Sequence, residues 1–142
     1  MSETTIKLMM RKLILLCASI SLFFVACTNE KEHIVSSHPN GKPAFVEYFT
    51  DCDTINPVRS LRYYFSGEKQ EQISYSDGVK NGPYVFWYPN GEKMFEGSYK
   101  NGVLDGTFTQ WYDNGKVDYI AKYENGRPSG TWEYYSKEGK LH

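Results

Sequence analysis

Three histidines, three cysteines and a row of tryptophans and tyrosines are the residues of this 142-residue chain whose chemistry reaches beyond packing. Catalysis needs a nucleophile, a base and an orienting group at convergent positions, or a cluster of metal ligands. His33 and His38 precede the repeated part of the chain and His142 ends it, so neither a triad nor a ligand set is assembled. No catalytic or metal-binding residue is assigned, and no cofactor is expected. Glu96, Asp105, Asp118 and Glu133 are single carboxylates whose spacing picks out no acid–base pair. Cys52 lies between Asp51 and Asp53, whose charges disfavour the reactive thiolate. With Cys17 and Cys27 in the N-terminal segment described below, Cys52 is expected to have no internal disulfide partner. The aromatic residues offer more, because a row of rings stacks sugars or clasps a peptide. Trp87 and Trp111 are the candidates for an exposed binding surface, whereas Tyr84, Phe108 and Trp132 are assigned to structure.

The elements that position these rings repeat. Tyr63, Trp87, Trp111 and Tyr135 recur every 24 residues, each four residues before a glycine: Gly67, Gly91, Gly115 and Gly139. Tyr75, Tyr99 and Tyr123 form a second column, each two residues ahead of Asp77-Gly78, Asn101-Gly102 or Asn125-Gly126. Gly82, Gly106 and Gly130 form a third, each two residues before Tyr84, Phe108 or Trp132. So long a period marks a supersecondary unit copied along one direction. Asn-Gly between aromatic stretches is a hairpin signal, since both turn positions of a type I′ turn need positive φ. A two-residue loop at Asn90-Gly91 pairs Phe86 with Phe95 and Tyr84 with Gly97, the Tyr84 ring lying across Gly97. One face then carries Tyr84, Phe86, Phe95 and Tyr99, and the other Val85, Trp87, Met94, Glu96 and Ser98. The fold expected is all-β, an elongated antiparallel meander of repeated hairpins, preceded by a signal helix. A mean hydropathy of −0.56 with 16% aromatics suits such a thin sheet, in which rings cover their counterparts in the next repeat.

The N-terminus reads as an export signal. Lys7, Arg11 and Lys12 precede an apolar run from Leu13 to Ala26, about 14 residues, within the roughly 7–15 of a signal-peptide core and short of the ~20 of a membrane span. Ala26-Cys27 at the end of that run resembles the bacterial lipobox, with Phe24 in place of the usual leucine. The resemblance implies lipidation of Cys27, a cell-envelope location and a domain outside the cytoplasm. Thr28 after the cysteine favours the outer membrane in the enterobacterial sorting pattern. The chain divides into a signal peptide over 1–27, a polar tether over 28–39 and a repeat domain over 40–142, whose first unit, to Arg62, is degenerate with a short insertion around Asp51 to Pro57. Removing residues 1–26 takes away Lys7, Arg11 and Lys12 against Glu3 alone, and moves the net charge from −1 to −3. That argues against nucleic acid as a partner, which rewards clustered cations.

Residues Gly82-Pro83-Tyr84-Val85-Phe86-Trp87-Tyr88-Pro89-Asn90-Gly91, followed by Tyr99-Lys100-Asn101-Gly102-Val103-Leu104-Asp105-Gly106, resemble the bacterial variant of the MORN repeat. The pattern recurs from Gly106 to Gly130 and spans roughly 63–142, with departures at Ser66, Gln110 and Lys137-Glu138 that make the terminal units look like caps. The resemblance implies a string of β-hairpins and a protein-interaction or scaffolding role, with an envelope protein as partner. Chains of this type are also called antitoxin-like, which makes an immunity-type inhibitor one alternative and a glycan-acting envelope enzyme another.

Overall fold

The computed structural model describes residues 29–142, so the signal helix and Cys27 lie outside the described residues. Ten strands follow in chain order: β1 (Glu30–Ser37), β2 (Pro43–Thr50), β3 (Arg59–Tyr63), β4 (Lys69–Ser76), β5 (Val79–Trp87), β6 (Lys93–Lys100), β7 (Val103–Leu104), β8 (Gly106–Trp111), β9 (Val117–Glu124) and β10 (Arg127–Tyr134). All belong to one antiparallel sheet whose spatial order follows the chain, with β7 and β8 both pairing β6. Among the described residues no second layer covers either face.

Two kinds of turn alternate along the array. Asp77-Gly78, Asn101-Gly102 and Asn125-Gly126 hold positive φ at both residues, from 50° to 85°, as a type I′ loop requires. At the opposite edge the turn differs from the expected one. Only Gly91 of the Asn90-Gly91 pair has positive φ, at 86°. Tyr88 N donates to Glu92 O at 2.8 Å and Gly91 N to Tyr88 O at 2.9 Å, which closes a three-residue loop. Pro89 suits this loop, because its ring fixes the negative φ that starts a type I turn, but it is not required: Asn114-Gly115, preceded by Asp113, closes the same loop with Tyr112 N donating to Lys116 O at 2.8 Å. Trp87 then pairs with Lys93, Met94 is the bulged residue, and the register returns to Phe86↔Phe95 and Tyr84↔Gly97, as the sequence predicts.

Burial is modest and shared between the faces. Val46, Leu61 and Val85 are 2%, 2% and 7% exposed on one face, and Ile73 and Ala121 are 7% and 1% on the other. The second face carries the ring ladder. Phe86 meets Phe95 at 5.6 Å between centroids, Phe95 meets Phe108 at 5.9 Å, Phe108 meets Tyr119 at 6.1 Å, and Tyr119 stacks on Trp132 at 5.8 Å and 4°. Gly97 is the one glycine without positive φ, and its reason is room: a Cβ there would stand 2.9 Å from Phe108 Cδ2. The ring that lies over Gly97 is therefore that of Phe108, in the following strand, and not that of Tyr84.

Residues 30–37, expected to be tether, form strand β1 instead. Its eight residues are all exposed, so it shows no alternation for a sequence pattern to detect. As an edge strand it has one neighbour and is charged outward. Lys31 pairs with Asp51 at 2.6 Å, and Glu30 reaches past β2 to Arg59 at 2.6 Å. The insertion expected near Asp51 to Pro57 is a loop between β2 and β3, tied by Asp53, whose carboxylate accepts from Ile55 N at 2.8 Å and Asn56 N at 3.0 Å. These amide bonds, the Asn56 ones foremost, hold the Asp53 carboxyl below its usual range. Cys52, expected to lack a bridging partner, is disulfide-bonded, its partner falling outside the described residues.

One set of bonds was not foreseen from the sequence. The hydroxyls of Tyr64, Tyr88 and Tyr112 donate to the carbonyls of Trp87, Trp111 and Tyr135 at 2.7, 2.9 and 2.9 Å. Each repeat thus clasps the next, and His38 Nε2 stands in for the hydroxyl in the first unit, 3.0 Å from Tyr63 O. Ser136 holds the equivalent place in the last unit. Tyr88→Phe is expected to cost about 1 kcal/mol, or roughly 4 °C of melting temperature. Tyr84→Phe, whose hydroxyl makes no such bond, is expected to leave thermal unfolding unchanged.

Alkali supplies a second expectation. Burial, reinforced by Tyr63, pushes the Tyr48 hydroxyl up to about 12, and burial with the nearby Glu71 charge does the same for Tyr84. Tyr88 and Tyr119 are raised first by burial. The folded phenols keep protons that the unfolded chain releases near pH 10, so this stability is complete below about pH 10 and lost as the pH rises toward 12. Urea midpoints measured at intervals across that window should fall steadily; a flat profile would contradict the burial.

Candidate binding surface

The three-residue turns place the last aromatic of one strand opposite the first residue of the next. Tyr63 faces Lys69, Trp87 faces Lys93 and Trp111 faces Val117. Across β3 to β8 the face opposite the ring ladder carries aromatic, lysine, aromatic, lysine, aromatic. Lys69 Nζ stands 5.9 Å from the Trp87 ring centroid, and Lys93 Nζ 5.7 Å from that of Trp111. Both indoles are half-buried rather than openly exposed.

Beside each tryptophan the turn leaves a shallow recess. One, of about 300 Å³, is lined by Tyr63, Gly67, Glu68, Lys69, Trp87 and Gly91. The other, of about 330 Å³, is lined by Glu92, Lys93, Trp111 and Gly115. Lys93 also pairs with Glu96 at 2.7 Å. Glu68 and Glu92 make no side-chain hydrogen bond or ion pair among the described residues, so each recess holds an acceptor that is not engaged elsewhere.

The aromatic residues assigned to structure are placed apart from this stripe. Tyr84 meets Tyr99 at 5.5 Å on the ring-ladder face, Phe108 meets Tyr123 at 6.1 Å, and Trp132 meets Tyr123 at 5.9 Å. Gly67, Gly82, Gly91, Gly106, Gly115 and Gly130 all hold positive φ at turns or bulges. The four carboxylates have separate partners: Glu96 has Lys93, Asp105 accepts from Asn125 N at 3.1 Å, Asp118 from Gln110 at 2.7 Å, and Glu133 from Tyr135 at 2.7 Å. Among the described residues no group of three His, Cys, Asp or Glu side chains is placed to hold a metal ion. The lysines of the stripe were missed in the sequence, though Lys69 and Lys93 recur at the period of the tryptophans they cover.

Fold and surface together define a β-repeat protein, a single-layer sheet in which each hairpin pair touches only its neighbours. The model of the MORN repeat variant matches residues 80–101 and 104–125, so these two stretches are similar to that repeat. No curated protein matches. Among solved structures the chain is similar to a TarM mutant from S. aureus in complex with fondaparinux, α-GlcNAc-glycerol and UDP, at 17% identity and a TM-score of 0.37. The match covers 89% of this chain and 21% of that one, and a likeness of this size carries no argument.

Proposed function

We propose that this is a lipid-anchored envelope protein that holds another envelope protein on its sheet and acts as an interaction or scaffolding module. The observation that carries the reading is the Trp87–Trp111 stripe, an ordered row of half-buried rings on a face that no described layer covers. Half-buried aromatics flanked by charged rims are the usual anchors of protein contacts. A non-catalytic role is supported by the separate engagement of the four carboxylates. Attachment through Cys27, in the outer membrane rather than the inner, follows from the lipobox resemblance, and the net acidity of the chain after residue 26 speaks against nucleic acid.

The test is affinity capture from solubilised envelope with the full chain as bait, read by mass spectrometry. One protein retained by the native bait and lost with Trp87→Ala/Trp111→Ala is the expected result; retention by both would remove the stripe from the reading. Cys27→Ser should move the protein from the membrane to the soluble fraction.

A further inference from the structure

The two recesses share their make-up: Glu68, Lys69, Trp87 and Gly91 in one, and Glu92, Lys93, Trp111 and Gly115 in the other. Each member of the second set lies 24 residues after its counterpart. Such counterparts are two strands apart, and neighbouring strands lie about 4.8 Å apart, so the recesses repeat at roughly 10 Å across the sheet. A ligand that fills both must present the same chemistry at that interval. An extended peptide repeats its side chains at roughly 7 Å and is out of step. A β-(1→4)-linked glycan is an extended ribbon in which alternate sugars are flipped, so equivalent faces recur once per disaccharide, a length close to the recess interval.

The lining fits the same ligand. An indole offers a flat apolar surface to the C–H face of a sugar ring, while a carboxylate accepts from hydroxyls and an ammonium donates to them. Glu68 and Lys69 balance in the first recess, and in the second Lys93 also pairs with Glu96, so neither site suits an anionic chain. The wall is open at Gly91, where a Cβ would meet nothing within 4 Å.

We propose that the Trp87–Trp111 stripe binds a linear, uncharged β-(1→4)-linked glycan laid across the strands, one disaccharide to each hairpin repeat. The inference rests on the stripe being a binding surface, and not on its partner being a protein. An amphipathic helix, whose two turns span roughly 11 Å, is the other occupant with a similar period, but the unengaged carboxylates Glu68 and Glu92 suit hydroxyl donors better than an apolar helix face.

The experiment titrates the detergent-solubilised full chain with cello- and chito-oligosaccharides of two, four and six sugars, read by tryptophan fluorescence and calorimetry. Affinity is expected to rise at least tenfold from two sugars to four, as the second recess fills. Trp111→Ala and Glu92→Gln should each return the tetramer to the affinity of the dimer, and Glu92→Gln, which leaves the half-buried ring in place, should do so without lowering the melting temperature. Absence of oligosaccharide binding, affinity independent of length, or competition only by an amphipathic helical peptide would overturn the proposal. If envelope capture still yields a protein that needs Trp87 and Trp111, the glycan assignment alone fails; if both experiments are empty, the stripe is not a binding surface.

Discussion

Replacing Gly106 with valine should lower the melting temperature by roughly 10 °C, while Lys100→Ala should leave it unchanged. Gly106 opens β8 just after the bulge that separates it from β7, where Asp105 N donates to Ser98 O at 3.0 Å. Its φ is +96°, and a Cβ there would meet nothing within 4 Å. The cost is therefore backbone strain alone, about 1–3 kcal/mol for a side chain forced into so sparse a region and at the upper end for a β-branched one. If the strand relaxed instead, the bulge would straighten, and a one-residue slip would turn Phe108 to the wrong face. Lys100 is exposed and makes no side-chain ion pair. Equal melting of the two variants would refute the bulge.

Phe108→Ala should cost about 3 kcal/mol, near the low end for a large aromatic because the ring is only half-buried. Phe108 joins three strands, β6, β8 and β9: its ring contacts Phe95, Tyr119 and Tyr123 and covers the space above Gly97. That last contact makes a sharper test than the single variant. Gly97→Val alone drives a side chain into the Phe108 ring and should cost about 1–3 kcal/mol. In the Phe108→Ala background the space is vacant, and most of that penalty should disappear. A double-mutant cycle in chemical denaturation should therefore show coupling well above 0.5 kcal/mol. Additive costs would mean that the two residues do not meet.

Where backbone geometry demanded a particular residue, the sequence was readable. Positive φ required glycine at turns and bulges, so the lattice of Gly82, Gly106 and Gly130 marked the irregularities that follow the two-residue turns, and the Phe86↔Phe95 register followed. The loop at Asn90 differs from its reading because the same Asn-Gly pair serves two turn types, and the pair alone does not choose between them. β1 was invisible because an edge strand exposed on both sides has no reason to alternate. The tyrosine clasps had a signal in the second aromatic of Tyr63-Tyr64, Trp87-Tyr88 and Trp111-Tyr112. Its meaning depended on knowing that the next repeat stacks alongside, a tertiary fact that no local pattern states. The lysines of the stripe failed for the opposite reason: charge on a strand reads as solvation until a neighbouring ring is placed beneath it.

The sheet runs in chain order, β1 to β10, with the strands lying across the long axis. A pull applied at the N-terminal end and resisted at the far end would act across the strands and not along them. It would open the backbone pairs one after another, as a zipper opens, instead of shearing a whole ladder at once. The tyrosine clasps would break singly as the opening passes each repeat. Such a protein gives way gradually and lengthens under tension, and it closes again from whichever repeats remain.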